Sequence, residues 1–485
     1  MEQDEVMQTA GGTDDPVRSY ISPIGYSNSS ECGYCRGRSS VSKKRFSYYA
    51  VTNDLSPGFY QSLVDRCWRR SGRLLYRPNQ RSACCPHYTL RLDSKEFRPT
   101  KDQRQAANRF NSYVVGESYT KEAARLHPRS REESKRRNVV FDLVERVHEA
   151  ERERVPSPPE PAHDFTVVLE QDDFTEEKYL LFENYQRLVH KEPPSKISRS
   201  GFKRFLCDSP IRRTTDVGPD GNQRKLGSFH QCYRLDGKLV AMGVLDLLPH
   251  CVSAVYFLYH ESIHKYNPGK LGAMREIALA VEGGYRWWYS GYYIHTCPKM
   301  QYKNDYAPQY ILDPETLTWH PLTKSDMAIF DHKGYARFPR VGAPNDGGDG
   351  KSEESKGDDG GDHNDDDGEA GGGAQGDDSA DKSGEDSDSD CDSSDYGGQR
   401  EYLLQSNMPG IISLDELALL DLDDIAVVTD GQPEMFSTSD LVVWRSQSIT
   451  QYPSLKARVA ELVAAVGPDL LDELCLDFRT RRQSF

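Results

Sequence analysis

Apolar positions fall into short runs bounded by turn residues, and the runs predict an ordered series of elements. Phe165–Leu169, Phe229–Leu235, Leu239–Leu247, Val252–Tyr259 and Trp287–Ile294 read as strands. The middle three follow in meander order, two of them joined by the turn Asp236-Gly237. Between them lie helical stretches. Thr175-Glu176-Glu177 opens one, with acids at its positive end, and Pro193-Pro194 closes it. Another spans Met274–Val281 and follows the loop Tyr266-Asn267-Pro268-Gly269-Lys270-Leu271-Gly272. Strands alternating with helices predict a mixed α/β sheet from residue 164 to 340. Upstream, Ser56-Pro57 starts a helix whose apolar residues are Phe59, Leu63 and Trp68, and Gly72 is its expected stop. Downstream, Met408–Val428 and Leu455–Phe478 regain apolar periodicity and are expected as further helices.

Residues 1–30 read as disordered, 31–115 as a cysteine-rich module and 116–163 as a charged helical linker. Pro156, Pro158, Pro159 and Pro161 mark the linker's end. A disordered acidic insert covers 341–398, and 399–485 is a helical extension expected to dock on the α/β domain. Charge is unevenly spread along the 485 residues. The net charge is −15, yet Asp346–Asp395 alone holds 20 acids against 3 lysines, so the rest of the chain is close to +2. From Cys32 to Arg109 there are 17 Lys or Arg and 5 Asp or Glu, a net of +12, with Phe46, Tyr48, Tyr49, Trp68, Tyr76, Tyr88 and Phe97 interleaved. Charge and stacking surface together suit a single-stranded RNA end.

Four cysteines carry the sharpest chemical signal. Cys32 and Cys35 form a Cys-x-x-Cys pair, and Cys84 and Cys85 are adjacent, so four sulfurs can close on one metal because loop closure costs little more as loops lengthen. Zinc and an iron-sulfur cluster both suit such a donor set. His87 reads as a polar residue in the turn after Pro86. The other seven of the 11 cysteines are scattered and no apolar leader is visible, which points to a reducing compartment, cytosol or nucleus. No run of eighteen apolar residues predicts a membrane span.

Several strings resemble eukaryotic arginyl-tRNA-protein transferases. In the first module these are Cys32-Gly33-Tyr34-Cys35, Trp68-Arg69-Arg70-Ser71-Gly72, Cys84-Cys85-Pro86-His87-Tyr88 and Phe97-Arg98-Pro99-Thr100-Lys101. In the second they are Phe174-Thr175-Glu176-Glu177-Lys178-Tyr179, Pro194-Ser195-Lys196, Gly201-Phe202-Lys203-Arg204-Phe205-Leu206 and His295-Thr296-Cys297-Pro298-Lys299-Met300-Gln301-Tyr302-Lys303. The chain departs from the family pattern at Tyr266-Asn267-Pro268-Gly269 and in the acidic insert. The resemblance implies a GNAT-like acyltransferase domain. It also implies transfer of arginine from arginyl-tRNA to the amino terminus of proteins starting with Asp, Glu or oxidised Cys, which marks them as N-degrons for ubiquitin-dependent degradation. It implies a metal or cluster on Cys32, Cys35, Cys84 and Cys85, and a monomer is expected.

For that reaction the donor ester is already activated, so the protein must place an amine, steady an oxyanion and move a proton. Asp246, Glu261, His264 and Tyr302 are the acid–base candidates. An acidic acceptor residue calls for cations, for which Arg275, Lys299 and Lys303 are candidates with His295 as a further donor. The donor's guanidinium calls for a carboxylate, Glu276 or Asp246. Gly269 and Gly272 stand in the loop-to-helix junction that offers N–H groups to phosphate or the acceptor end of an RNA. The rival readings are a non-catalytic RNA-binding adaptor and a coenzyme-A-dependent acetyltransferase.

Overall fold

A computed structural model describes residues 17–29, 32, 34–35, 45–332, 334–338, 400–432 and 434–479. The acidic insert and the first sixteen residues lie outside them. Chain order begins with β1 (Ser19–Ser29) and β2 (Arg45–Asp54), then the hairpin β3 (Arg69–Ser71) and β4 (Leu74–Pro78), then β5 (Tyr88–Asp93). After a helical stretch come β6 (Phe165–Gln171), β7 (Thr214–Val217), β8 (Gln223–Leu235), β9 (Lys238–Leu248), β10 (Cys251–Tyr259), β11 (Trp287–Tyr293), β12 (Gln309–Leu312) and β13 (Trp319–Pro321). The tail adds β14 (Arg400–Glu401), β15 (Ala426–Val428), β16 (Phe436–Ser437) and β17 (Leu474–Asp477). They form two sheets. One runs β16-β15-β17-β1-β2-β4-β3 with β14 also on β1, and the other runs β13-β12-β5-β11-β10-β9-β8-β6 with β7 on β8.

The α/β reading therefore holds, and the five expected strands fall within one or two residues of β6, β9, β10, β11 and the second half of β8. Module boundaries differ more. Ser19–Ser29, expected as disordered, is an interior strand, because β17 pairs with its one edge and β2 with the other. The cysteine-rich segment is no separate body, since β5 sits between β11 and β12 inside the second sheet. The tail extends the first sheet and also shares one apolar core with Leu248, Trp287 and Tyr289 of the α/β domain. Leu455–Val466 is helical as expected, but Leu474-Cys475-Leu476 is a strand parallel to β1; a buried strand and a buried helical turn look alike over so short an apolar run. Arg77 ties this tail down from β4: it is buried and donates to the carbonyls of Ala465, Pro409 and Gly410, at 2.7, 3.0 and 2.9 Å.

Gly72 turns a hairpin instead of ending a helix. Its φ is +56°, and a Cβ there would lie 2.0 Å from the Arg204 carbonyl oxygen. The helix before it, Pro57–Val64, is capped by Ser56, which accepts from the Phe59 N–H at 3.0 Å.

The second sheet is covered on both faces. Along β11, Trp287 and Tyr289 join the core that holds Phe59, Tyr60 and Leu63, whereas Trp288 joins the core that holds Met274 and Ile277. This is the period of two expected of a strand with both faces buried. The helix Pro268–Glu282 is buried on nearly all sides, because helices of the linker cover its outer face. Arg275 reaches out of it to Glu151 and to the Val147 carbonyl, and its guanidinium lies 5.2 Å from the Phe165 ring centroid. His148 completes the clamp with Nδ1 2.9 Å from Glu151 and Nε2 3.1 Å from Glu282.

Hydrogen bonds donated to the Glu151 and Glu282 carboxylates push the His148 pKa up from 6.5 to about 9. A raised imidazole contributes stability that is present below pH 6.5 and fades as pH climbs through about 9. His148→Gln is therefore expected to lower the thermal midpoint at pH 6 by about 2 °C. The deficit should vanish at alkaline pH, and a pH-independent deficit would show that packing, not charge, holds this contact.

Candidate active site and metal centre

The thiol cluster is built by two turns. Cys32 and Cys35 lie in the β1–β2 connection, and Cys84 and Cys85 in the β4–β5 connection. Asn79 folds the second turn back, its Oδ1 accepting from the N–H groups of Arg81 and Ser82 at 3.1 and 3.3 Å. The four sulfurs all lie within 4.8 Å of one another, and Cys35 Sγ is 3.5 Å from Cys84 Sγ. A tetrahedron of thiolates around zinc, with bonds of about 2.3 Å, has edges of about 3.8 Å. The donor set therefore fits a metal.

Electrostatics agree. The Cys32 thiol is pulled down to about 4, first by the hydrogen bond from Cys85, while burial pushes Cys84 up to about 12. The Cys85 thiol is raised as well, first by its bond to Cys32. Thiols alone at this spacing must share protons; a cation lets all four ionise. The protein supplies further support, because the Thr296 hydroxyl hydrogen-bonds Cys85, and Ile294 and Cys297 pack against the sulfurs. Cys32→Ser and Cys85→Ser are each expected to bring bound metal close to zero by elemental analysis and to abolish the loss of thermal stability that a chelator causes in the wild type. Unchanged metal content in both variants would remove these residues as ligands.

A second feature lies beyond the cysteines. β10 and β11 are parallel but pair only at Cys251–Trp287, Val252–Trp288 and Ser253–Tyr289. Past that point β10 carries an irregularity between Ala254 and Tyr256, and β11 another between Tyr289 and Tyr292. Gly291, at φ +79°, sits in the second; a Cβ there would lie 3.5 Å from the Ala254 carbonyl oxygen and 3.6 Å from Lys303 Nζ. Lys303 thus inserts its ammonium between the parting strands, where it donates to the Tyr292 carbonyl at 2.6 Å and is buried. On the helix side of the sheet, buried Glu276 accepts from Trp288 Nε1 at 2.8 Å. Burial pushes its carboxyl up to about 7, against the opposing effects of the Trp288 bond and the Lys303 charge. The parting of the parallel strands at their carboxyl end, with one acid and one cation close enough to feel each other's charge, makes this a candidate ligand site.

The other predicted residues are spread more widely. Tyr302, half exposed, precedes Lys303 in the same short turn. Glu261 and His264 lie exposed in the turn Glu261–Tyr266 that follows β10, with His264 Nδ1 3.1 Å from the Tyr259 hydroxyl. His295 stacks on Phe330, and its Nδ1 is 2.7 Å from the Tyr293 hydroxyl. Gly269 is exposed at the start of the helix Pro268–Glu282, and a Cβ there would meet nothing, whereas one at Gly272 would fall 2.3 Å from the Phe257 ring. Gly272 is thus a close-packing glycine. The Lys299 side chain lies outside the described residues.

Two candidates are occupied elsewhere. Arg275 is the clamp to Glu151 described above, not a cation facing the opening. Asp246 is buried, with its two oxygens taken by Arg70 at 2.9 and 2.6 Å and by Ser228 at 2.6 Å, on the sheet face that meets the helix Pro57–Val64. Arg70 stands in the string Trp68-Arg69-Arg70-Ser71-Gly72 with no role read from it, and Trp288 does not stand out in the sequence. Gly291 does, since a glycine inside the run Trp-Trp-Tyr-Ser-Gly-Tyr-Tyr signals a bulge or a close approach.

Residues 30–105 match the model of the arginine-tRNA-protein transferase amino terminus, and 177–313 that of its carboxyl terminus, in the order the family requires. Over these two regions the chain is similar to arginyl-tRNA-protein transferases. Both candidate centres fall inside the matched regions. Arginyl-tRNA--protein transferase 1 of Saccharomyces cerevisiae is 31% identical over 269 residues, 52% of this chain and 48% of that protein. The chain therefore spans about half the length of that yeast relative. The Drosophila melanogaster protein of the same name is 27% identical over 424 residues, covering 66% of this chain and 86% of its own length. A Pseudomonas fluorescens aspartate/glutamate leucyltransferase is 29% identical over 256 residues, 51% of this chain and 77% of that protein.

Proposed function

We propose that this protein transfers arginine from arginyl-tRNA to the amino terminus of proteins that begin with Asp, Glu or oxidised Cys, and so creates N-degrons. One observation carries the reading: the opening between β10 and β11 holds one carboxyl, Glu276, and one ammonium, Lys303. The two substrates bring the complementary pair, a guanidinium on the donor and a carboxylate or sulfo-acid on the acceptor. Glu276 meets the guanidinium and Lys303 the acid. The acceptor's neutral amine attacks the ester carbonyl carbon, an amide bond forms, the ribose oxygen leaves, and one proton passes from nitrogen to that oxygen. No covalent enzyme intermediate is needed.

The two regions similar to arginine-tRNA-protein transferases and the name of the Pseudomonas relative, an aspartate/glutamate leucyltransferase, support an acidic acceptor. The splayed parallel strands support a GNAT-like acyltransferase architecture, and the basic, aromatic stretch before Arg109 supports RNA as the donor's carrier. Cys32, Cys35, Cys84 and Cys85 hold zinc or an iron-sulfur cluster that braces the loop from Ile294 to Lys303. When bound, that group supplies the charge that lets four thiolates coexist. The site of action is the cytosol or nucleus, with the chain a monomer.

The test mixes protein with arginyl-tRNA carrying labelled arginine and two peptides identical except for an amino-terminal Asp or Ala. Label in the Asp peptide alone is the expected result. Label in neither, with tRNA bound, favours the RNA-binding adaptor. Acetylation from labelled acetyl-coenzyme A would favour the coenzyme-dependent enzyme.

A further inference from the structure

Val442 is 98% exposed and Leu419 86%, which makes them the two most exposed large apolar side chains among the described residues. Both lie on the tail, where Met435 and Val443 are about half exposed as well. Single apolar side chains are ordinary on a protein surface, but a concentration of them on one segment marks a surface that something else covers. The two turns that carry Leu419 and Val442 are joined. Ser439 donates its N–H to the Asp423 carbonyl at 2.9 Å, and Trp444 Nε1 donates to Asp423 Oδ1 at 2.6 Å. From these turns Leu420 and Leu441 pack onto one core, and their neighbours Leu419 and Val442 are left outside it. The fold makes no use of either, since a serine at 419 or 442 would leave that core unchanged.

The surround of these side chains says what kind of partner fits. Eight acidic residues and no Lys or Arg lie between Ser413 and Trp444, and all eight are exposed. Of the cations that follow, Lys456 is held by Asp423 at 3.1 Å, and Arg445 stands at the edge. Acids around apolar tips repel RNA and an anionic membrane. They also repel the same face of a second copy and the chain's own segment Asp346–Asp395, with its 20 acids against 3 lysines. The complementary surface carries apolar side chains flanked by Lys or Arg, which is the pattern of a basic amphipathic helix. We propose that Leu419 and Val442, with the acids around them, form a docking surface for a basic amphipathic helix of another protein. This surface lies outside both regions shared with arginyl-tRNA-protein transferases and stands apart from the transfer reading.

Three full-length proteins test the inference: the wild type, the double variant Leu419→Ser with Val442→Ser, and the double variant Asp421→Asn with Asp440→Asn. The asparagines keep the side-chain oxygens that accept from the N–H groups of Asp423 and Ser437. The probe is a fluorescently labelled Leu/Lys amphipathic helical peptide, read by anisotropy at low and physiological salt, with a Leu/Glu peptide of the same pattern as control. The Leu/Lys peptide is expected to bind the wild type and the Leu/Glu peptide to fail. The serine variant should weaken binding by about 10-fold or more, because two apolar contacts are lost. The asparagine variant should weaken it less and flatten its salt dependence. Thermal unfolding should match the wild type in both variants, since the changed side chains are exposed. Equal affinity in the wild type and the serine variant would overturn the proposal, because the acidic segments alone would then hold the peptide. Failure of the peptide to bind the wild type would overturn it too. Self-association of the wild type in sedimentation, lost in the serine variant, would assign the surface to a second copy and overturn the helix partner.

Discussion

Lys303→Met is expected to lower kcat/KM for an Asp-initiated peptide by about 100-fold or more while leaving the affinity for arginyl-tRNA within a few-fold of the wild type. Methionine fills nearly the same space, so the buried position beside Gly291 stays packed while its charge is lost. Lys303→Arg keeps the charge in a larger, planar head and is expected to fall between the two. The reciprocal change, Glu276→Gln, should instead act on the donor, with the KM for arginyl-tRNA rising and the peptide KM little changed.

A pH signature separates this from mere structural damage. Burial first, against the Trp288 bond and the Lys303 charge, places the Glu276 carboxyl at about 7. It is therefore largely neutral at pH 6 and ionised at pH 8, so kcat/KM for arginyl-tRNA should rise across that interval and lose this rise in Glu276→Gln. Because Lys303 holds the carboxyl down, Lys303→Met should move the midpoint upward. In stability the sign is opposite. A carboxyl raised in the folded state makes folding less favourable as pH climbs from 4.5 through about 7, and Glu276→Gln removes that slope. Wild-type pH behaviour in Glu276→Gln, with normal transfer to acidic peptides in Lys303→Met, would dismantle the charge-matching account.

Much of the candidate site is legible in the sequence alone. The cysteine pairs came from spacing, and Lys303 and Glu276 were candidates because their charges suit the two substrates. What the sequence hid is direction. Arg275 and Glu276 are neighbours on one helix, yet the first turns outward to Glu151 and the second inward to Trp288, a matter of one residue's rotation in a helix buried on nearly all sides. The docking of the tail on β1 was hidden for another reason. It depends on pairing between Ser19–Ile21 and Leu474–Leu476, at opposite ends of the chain, and no local signal reports so distant a partner. His87 misled because a histidine after proline reads as a turn residue, while its burial depends on Tyr292, far along the chain.

Asp246 illustrates why a carboxylate in a strand can look catalytic and serve the fold instead. Arg70 meets it with two nitrogens, Ser228 donates to it as well, and both charged side chains are essentially sealed, at 1% and 0% exposure. Arg70 lies on β3 of the first sheet and Asp246 on β9 of the second, so the pair locks the two sheets in register. Removing one partner strands the other without water, which costs about 3–5 kcal/mol, whereas replacing both with apolar residues of similar volume is near neutral. Arg70→Met alone is expected to lower the thermal midpoint by about 10 °C. The double variant Arg70→Met with Asp246→Leu should recover most of that loss and should still transfer arginine. Recovery of stability without recovery of transfer would return Asp246 to the chemistry; failure of the double variant to regain stability would mean that Ser228 and its neighbours require the charge.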